Sequence, residues 1–208
     1  MPGIESFSRS GKNSENVMTV DEAAEALFGI MRKDFNKQFL IRLSAVSGLD
    51  ITRAETELIF LDFFAVYFSL KFTRSSGWRE KGNVVFEQLY SLLWNWLGTI
   101  WESMGCGTKD DAFRVIDARL KTYGERIEQP NSEDPDSMLA SLGEAFAMYA
   151  LTDETFYESD GSPKPDRFPD VLMRLRQDFD RIVVTVGGEV FNHRVQSLHA
   201  MFDLYKVE

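Results

Sequence analysis

The stretch that decides the fold runs from Glu57 to Phe72, ELIFLDFFAVYFSLKF, and its apolar side chains recur on almost every side of a helix. At about 100° per residue, Phe60, Phe64 and Tyr67 share one side, Leu61, Phe68 and Phe72 a second, and Ile59, Phe63 and Leu70 a third. A helix that is apolar nearly all round is either central to a bundle or held in a membrane. Only a narrow seam is polar, carrying Glu55, Asp62, Ser69 and Thr73. The uncharged part, Phe63 to Leu70, is eight residues long, against the roughly 20 that a bilayer core requires. Asp62 and Lys71 bracket it, so the segment reads as a buried core helix and not as a membrane span.

Working outward, helix signals recur on both sides. Thr19 with Glu22 forms a capping box, and Phe28, Met31, Phe35, Phe39, Leu43 and Val46 follow at helical spacing up to Gly48, which predicts one long first helix. Thr52 with Glu55 repeats the device at the start of the central helix, which fades into the TRSSG loop at Thr73 to Gly77. A third helix is expected after Asn83, with Phe86, Leu89, Leu93, Leu97, Ile100 and Met104 on one stripe. Thr108 with Asp111 opens a fourth, with Phe113, Ile116, Leu120, Tyr123 and Ile127 inside and its acids at the start, where the helix dipole favours them. Asp134 is a candidate cap, with Pro135 at the first position of a fifth helix ending near Leu151.

Residues 152 to 167 combine acids, Gly and Pro and form the longest expected internal loop. Pro169 then opens a helix carrying Leu172, Leu175, Phe179, Ile182, Val183 and Val186, and the last stretch carries Phe191, Val195, Leu198, Phe202 and Tyr205. Laid on one straight helix these two stripes are rotated by roughly 130°, which predicts a break at Gly187 and Gly188. A competing reading makes IVVTV, GG and EVFNHRV a two-residue hairpin, but the flanking segments are helical in pattern and leave little room for strands. The fold class is therefore all-α, a single-domain helical bundle of six or seven helices around a central apolar helix. Residues 1–18 are polar and expected to be a mobile tail ahead of a helical domain over 19–208.

Composition excludes several functions. The chain has 208 residues, enough for a core without disulfides, and 17 Phe, 6 Tyr and 4 Trp to fill it. Cys106 is the single cysteine and can form no internal bridge. The start, MPGIESFSRSGKNSEN, has no apolar signal-peptide core, so a reducing, cytoplasmic location is expected. The 33 acidic residues against 23 basic ones give a net charge of -10, which disfavours nucleic-acid partners unless cations cluster. The cations near the central helix, Arg42, Arg53, Lys71, Arg74, Arg79 and Lys81, are interleaved with acids.

Four constellations could carry chemistry. Asp62 is a carboxylate among aromatic side chains, where burial would raise its pKa and suit it to acid–base work; the plainer reading is a seam residue that reaches solvent or is satisfied by a hydrogen bond, and replacement by Leu would then be tolerated. Glu189 and His193 lie four apart, half of a metal site, but on the face opposite Phe191, Leu198 and Phe202, and no further ligand motif completes them. Cys106 precedes a helix start, where a thiol pKa can fall, yet no nucleophile signature surrounds it.

Trp78, Trp94, Trp96 and Trp101, with Tyr90, gather around the third helix. Trp94, Trp96 and Trp101 widen its apolar face beyond what neighbouring helices need, which suggests a second contact surface. Phosphate loops, nucleophile elbows, dinucleotide-binding glycines and zinc-finger spacings are absent. The functional expectation is a cytoplasmic protein acting by protein association in a regulatory or assembly role. Its partner is another copy or another protein, met through Asp62, Trp94, Trp96 and Trp101 as candidate ligand or interface residues, with no metal and no cofactor. The alternative is a protein or enzyme holding a small apolar or aromatic ligand between helices 53–72 and 84–104, with Asp62 as its polar group.

Overall fold

The computed structural model describes residues 16–32, 37–46, 49–103, 108–128, 135–151, 164 and 180–208. Their elements are β1 (Asn16–Met18), α1 (Val20–Arg32), α2 (Lys37–Ser44), α3 (Ile51–Phe72), α4 (Ser76–Ser103), α5 (Lys109–Glu128), α6 (Pro135–Leu151), α7 (Asp180–Leu204) and β2 (Tyr205–Val207). The expected all-α bundle is what the chain forms, and among the described residues no helix is long and apolar enough to cross a membrane.

α3 is the central helix, as its composition predicts, with side chains buried on every side from Ala54 to Leu70. It separates two apolar clusters. Ala54, Leu58, Leu61, Phe64 and Ala65 face the first, shared with α2, α6 and the front half of α7; Phe60, Phe63, Val66 and Leu70 face the second, shared with α1, α4 and the end of α7. Ringed by both, α3 has no wet stripe to give it amphipathicity.

Two of the three capping boxes are present. The Thr19 amide donates to Glu22 Oε2 at 2.8 Å while the Glu22 amide donates to Thr19 Oγ1 at 3.2 Å. Thr108 and Asp111 do the same at 2.8 and 3.3 Å. The box expected at Thr52 is not used. α3 begins at Ile51, and Asp50 caps it by accepting from the Arg53 amide at 3.2 Å. Either residue type suits the role; Asp50 takes it and leaves Thr52 inside the helix.

The long first helix is instead two, α1 and α2, with 33–36 outside the described residues. Their spacing is continuous in sequence, but α1 buries Ala23, Ala24, Leu27 and Met31 in the second cluster and α2 buries Phe39 and Leu43 in the first. Opposite sides of α3 cannot be reached by one straight stripe. α4 begins at Ser76, earlier than Asn83, because its buried stripe starts at Trp78 and runs through Gly82, Val85, Leu89, Leu93 and Leu97. Trp78 is fully buried, stacked obliquely on Phe202 at 4.4 Å, and its Nε1 donates to the Tyr205 carbonyl at 2.8 Å. Pro135 opens α6 as expected, while Asp134, the expected loop over 152–167 except Lys164, and residues 169–179 of the helix expected from Pro169 lie outside the described residues; the rest of that helix, from Asp180, is part of α7.

The break expected at Gly187 and Gly188 does not occur: α7 runs unbroken through both, which also removes the hairpin reading. Its buried face is Val183, Val186, Gly187, Gly188, Val190, Phe191, Arg194, Leu198 and Phe202, a regular helical stripe. The stripe looks broken in sequence because three of its positions hold residues that do not read as apolar, two glycines and an arginine. The glycines are there for close packing. A Cβ on Gly187 would lie 2.8 Å from the Phe146 ring, one on Gly188 2.8 Å from the Leu139 carbonyl oxygen, and one on Gly143 would overlap the Val184 carbonyl oxygen. α6 and α7 thus meet backbone to backbone.

The chain does not remain helical to Tyr205, nor unstructured to residue 18. Asn16, Val17 and Met18 pair in parallel with Tyr205, Lys206 and Val207, and the Glu208 amide donates to the Met18 carbonyl at 3.0 Å. A parallel pair between remote segments leaves no local signal in either.

Two outcomes are expected. Gly143→Ala should destabilise the protein by about 1–3 kcal/mol through overpacking, read as a lower denaturation midpoint in urea, since its Cβ meets rigid backbone; Gly29→Ala, with open space around the added Cβ, should not. Secondly, the backbone and hydroxyl hydrogen bonds from Thr19 hold Glu22 below its ordinary pKa of 4.5, and the hydroxyl and backbone of Thr108 hold Asp111 below 3.8. Lowered folded-state values mean a stabilisation that is complete above those ordinary values and is lost as pH falls through the folded ones. Glu22→Gln with Asp111→Asn should therefore flatten the acid arm of a stability-against-pH curve below about pH 4.5.

Candidate functional site

Asp62 is completely buried and does not line a wet seam. Ser69 and Thr73 beside it are buried as well, and only Glu55 of the four is exposed. Arg194 of α7, itself buried, donates through Nε to Oδ1 and through Nη2 to Oδ2 of Asp62, both at 2.6 Å. Its Nη2 also approaches the Ile30 carbonyl of α1 at 3.4 Å. Burial pushes the Asp62 carboxyl above the ordinary carboxylate range, against the pull of the Arg194 hydrogen bonds and charge. Both oxygens are occupied by a guanidinium held in a fork, an arrangement that positions helices and leaves no acid or base free for a substrate.

A second buried pair lies one and a half turns earlier on α3. Arg119 of α5 donates to Glu57 through Nε at 3.0 and 2.9 Å and through Nη2 at 2.7 Å. Its guanidinium carbon lies 3.4 Å from the centroid of the Tyr149 ring of α6. Burial alone would lower the Arg119 pKa, but Glu57, Tyr149 and Tyr123 outweigh it and hold the group charged. The Tyr149 hydroxyl and Thr122 Oγ1 share a 2.8 Å hydrogen bond, and burial raises the Tyr149 pKa despite the nearby cation. Sequence reasoning singled out neither pair: Glu57, Arg119 and Arg194 each sit at helical spacing among apolar residues, and that spacing is the signal that could have found them.

The tryptophans divide between two neighbours. Trp94 packs on Phe113 of α5. Trp96 meets Phe28 of α1 edge to face at 5.9 Å, and the Arg32 guanidinium lies 5.4 and 5.7 Å from those two rings. Trp96 and Trp101 join the second cluster. All three are half-buried against their own chain, and Trp78 is fully so. Between α3 and α4, where a ligand might sit, Phe63 stacks on Phe86 at 5.0 Å and lies 5.8 Å from Tyr90, while Tyr67 lies 5.0 Å from Phe86. Rings already fill that seam.

Glu189 and His193 are exposed, as their face predicts. They line a cleft of about 370 Å³ between α2 and α7 with Gln38, Phe39, Arg42 and Asn192, bridged by an ion pair between Arg42 and Glu189. Among the described residues no group of three or more His, Cys, Asp or Glu is placed to hold a metal. Cys106 lies outside them.

The large apolar side chains that stay in water are elsewhere. Among the described residues Ile41 of α2, Val84 of α4 and Ile182 of α7 are exposed, and Val17 is 45% exposed, Phe72 55% and Leu204 66%. The elements that carry the last three converge on the two-stranded sheet. β1 pairs with β2, β2 directly follows Leu204, and a Cβ on Gly77 would stand 2.9 Å from the Val207 carbonyl oxygen. Phe72 ends α3 just before the elbow into α4, and its ring packs at a tilt against that of Phe68, 4.7 Å between centroids. This end of the bundle carries three of the exposed large apolar side chains of the described residues, while Trp94, Trp96 and Trp101 are half-buried. Comparison with protein-family models, curated proteins and solved structures finds no match.

Asp62→Leu should destabilise the fold by about 3–5 kcal/mol, because it strands the Arg194 charge in the core. The double replacement Asp62→Leu with Arg194→Met should recover most of that loss, since an apolar pair of similar volume has no charge to desolvate. Urea denaturation of the three proteins reads both, and a tolerated single replacement would contradict the pairing.

Proposed function

We propose that this protein acts by protein association, in a regulatory or assembly role, as a homo-oligomer whose contact is the apolar end around β1, β2 and the α3–α4 elbow. One observation carries the reading: Val17, Phe72 and Leu204 are exposed large apolar side chains on the elements that meet at that end. Each sits on regular structure, so docking orders little chain and loses little conformational entropy. Exposed apolar groups gathered in one place mark contact sites more often than solvated surface. The cytoplasmic location belongs to the same proposal, on the strength of the single cysteine.

The ligand-binding alternative has less support. Its polar group, Asp62, is engaged by Arg194, and Phe63, Tyr67, Phe86 and Tyr90 occupy the space between α3 and α4.

Light scattering of the purified protein should give a mass of two chains or a higher multiple. Leu204→Glu should weaken assembly by on the order of tenfold or more while the helical circular dichroism is unchanged, because the side chain is exposed in the folded monomer. A wild-type protein that stays one chain in mass at high concentration would overturn the proposal.

A further inference from the structure

The same end of the bundle carries an excess of each sign of charge in different places, with exposed Asp203, Lys206 and Glu208 on and beside β2. The elbow holds Lys71, Arg74, Arg79 and Lys81, all exposed, against the single acid Glu80. The wider set from Arg42 to Lys81 is interleaved with acids, but residues 71–81 alone hold four cations to one acid, a local excess in a chain of net charge -10. Directly after β1, the start of α1 holds Asp21, Glu22 and Glu25, all exposed, with no cation between residues 16 and 31. The sheet ties the two patches together: Val17 pairs with Lys206, and the neighbouring Val207 lies against Gly77 at the start of α4. Exposed Val17, Phe72 and Leu204 belong to the same end.

We infer that the occupant of this end is a second copy of the chain related by a two-fold axis, with the basic elbow of each copy seated against the acidic start of α1 in the other. The inference rests on the association reading and names its partner and its orientation. Charge complementarity selects the partner. An anionic membrane would attract the elbow but be repelled by Asp21, Glu22 and Glu25 beside it, and a protein of one dominant sign would meet the same conflict. A two-fold contact satisfies both patches at once, because residue i meets j while j meets i. Exposed ion pairs add little affinity; they set orientation and encounter rate, while Val17, Phe72 and Leu204 supply the apolar contact. The assembly should therefore weaken with added salt as the charges are screened.

Charge reversal tests this. The elbow variant Lys71→Glu/Arg74→Glu/Arg79→Glu and the α1 variant Asp21→Lys/Glu25→Lys should each dissociate at least tenfold more readily than wild type in light scattering. A one-to-one mixture of the two should regain the wild-type mass, since each elbow then faces an α1 of opposite sign. Glu22 is left in place because it caps α1. Circular dichroism reports folding, and the smaller Arg74→Glu/Arg79→Glu variant, both side chains exposed, takes the place of the triple one should that unfold. If both variants remain assembled like wild type, or if the mixture stays dissociated, the inference is overturned while association stands. If the wild-type protein is a single chain at every concentration, the association reading itself fails. Cosedimentation of a monomeric wild type with phosphatidylserine vesicles would replace the second copy by a lipid surface.

Discussion

The buried pair between Asp62 and Arg194 is the constraint around which the rest is arranged. Arg194 lies on α7 between the side chains that enter the first cluster, Val183 to Phe191, and those that enter the second, Leu198 and Phe202. Its guanidinium grips the middle of α3 and reaches toward the end of α1. Two charges removed from water are tolerated only when their geometry is satisfied, so this contact admits one placement of α7 across α3 and disfavours slippage of either helix along the other. Apolar packing alone would be less discriminating, because α3 presents similar rings on all sides. Glu57 with Arg119 and Tyr149 does the same for α5 and α6.

Close approach of α6 and α7 follows from that placement. With α7 pinned at Arg194, its front half can lie on α6 only where no side chain intervenes, and Gly143, Gly187 and Gly188 clear the contact. The remote pairing of β1 with β2 then closes the opposite end, held by the Trp78 hydrogen bond to Tyr205. These contacts place Val17, Phe72 and Leu204 on regular structure.

Sequence reasoning placed the tryptophans at the candidate surface because they overfill a helix face. The structure uses the excess within the chain: Trp94 reaches α5 and Trp96 reaches α1, so one helix is served by neighbours on two sides. Asp62 was legible as an unusual residue and its partner was not, since 132 residues separate it from Arg194. Val17 and Leu204 carried no signal, because an apolar residue that turns out to be exposed looks ordinary until its neighbours in space are known.

What the sequence determined by itself is local: the helical character, the central position of α3, the capping boxes at Thr19 and Thr108, and Pro135 at the head of α6. Each depends on residues within a few positions of one another, through periodicity or a short-range hydrogen bond. Tertiary structure decided the division of the first stripe into α1 and α2, the continuity of α7 through two glycines, the parallel strands and the partners of the buried charges. A glycine or an arginine in a buried stripe looks the same in sequence whether it breaks the helix or completes it. The difference lies in what stands opposite, the Phe146 ring and Leu139 carbonyl for Gly187 and Gly188 and a carboxylate for Arg194, and that is fixed only when remote segments meet.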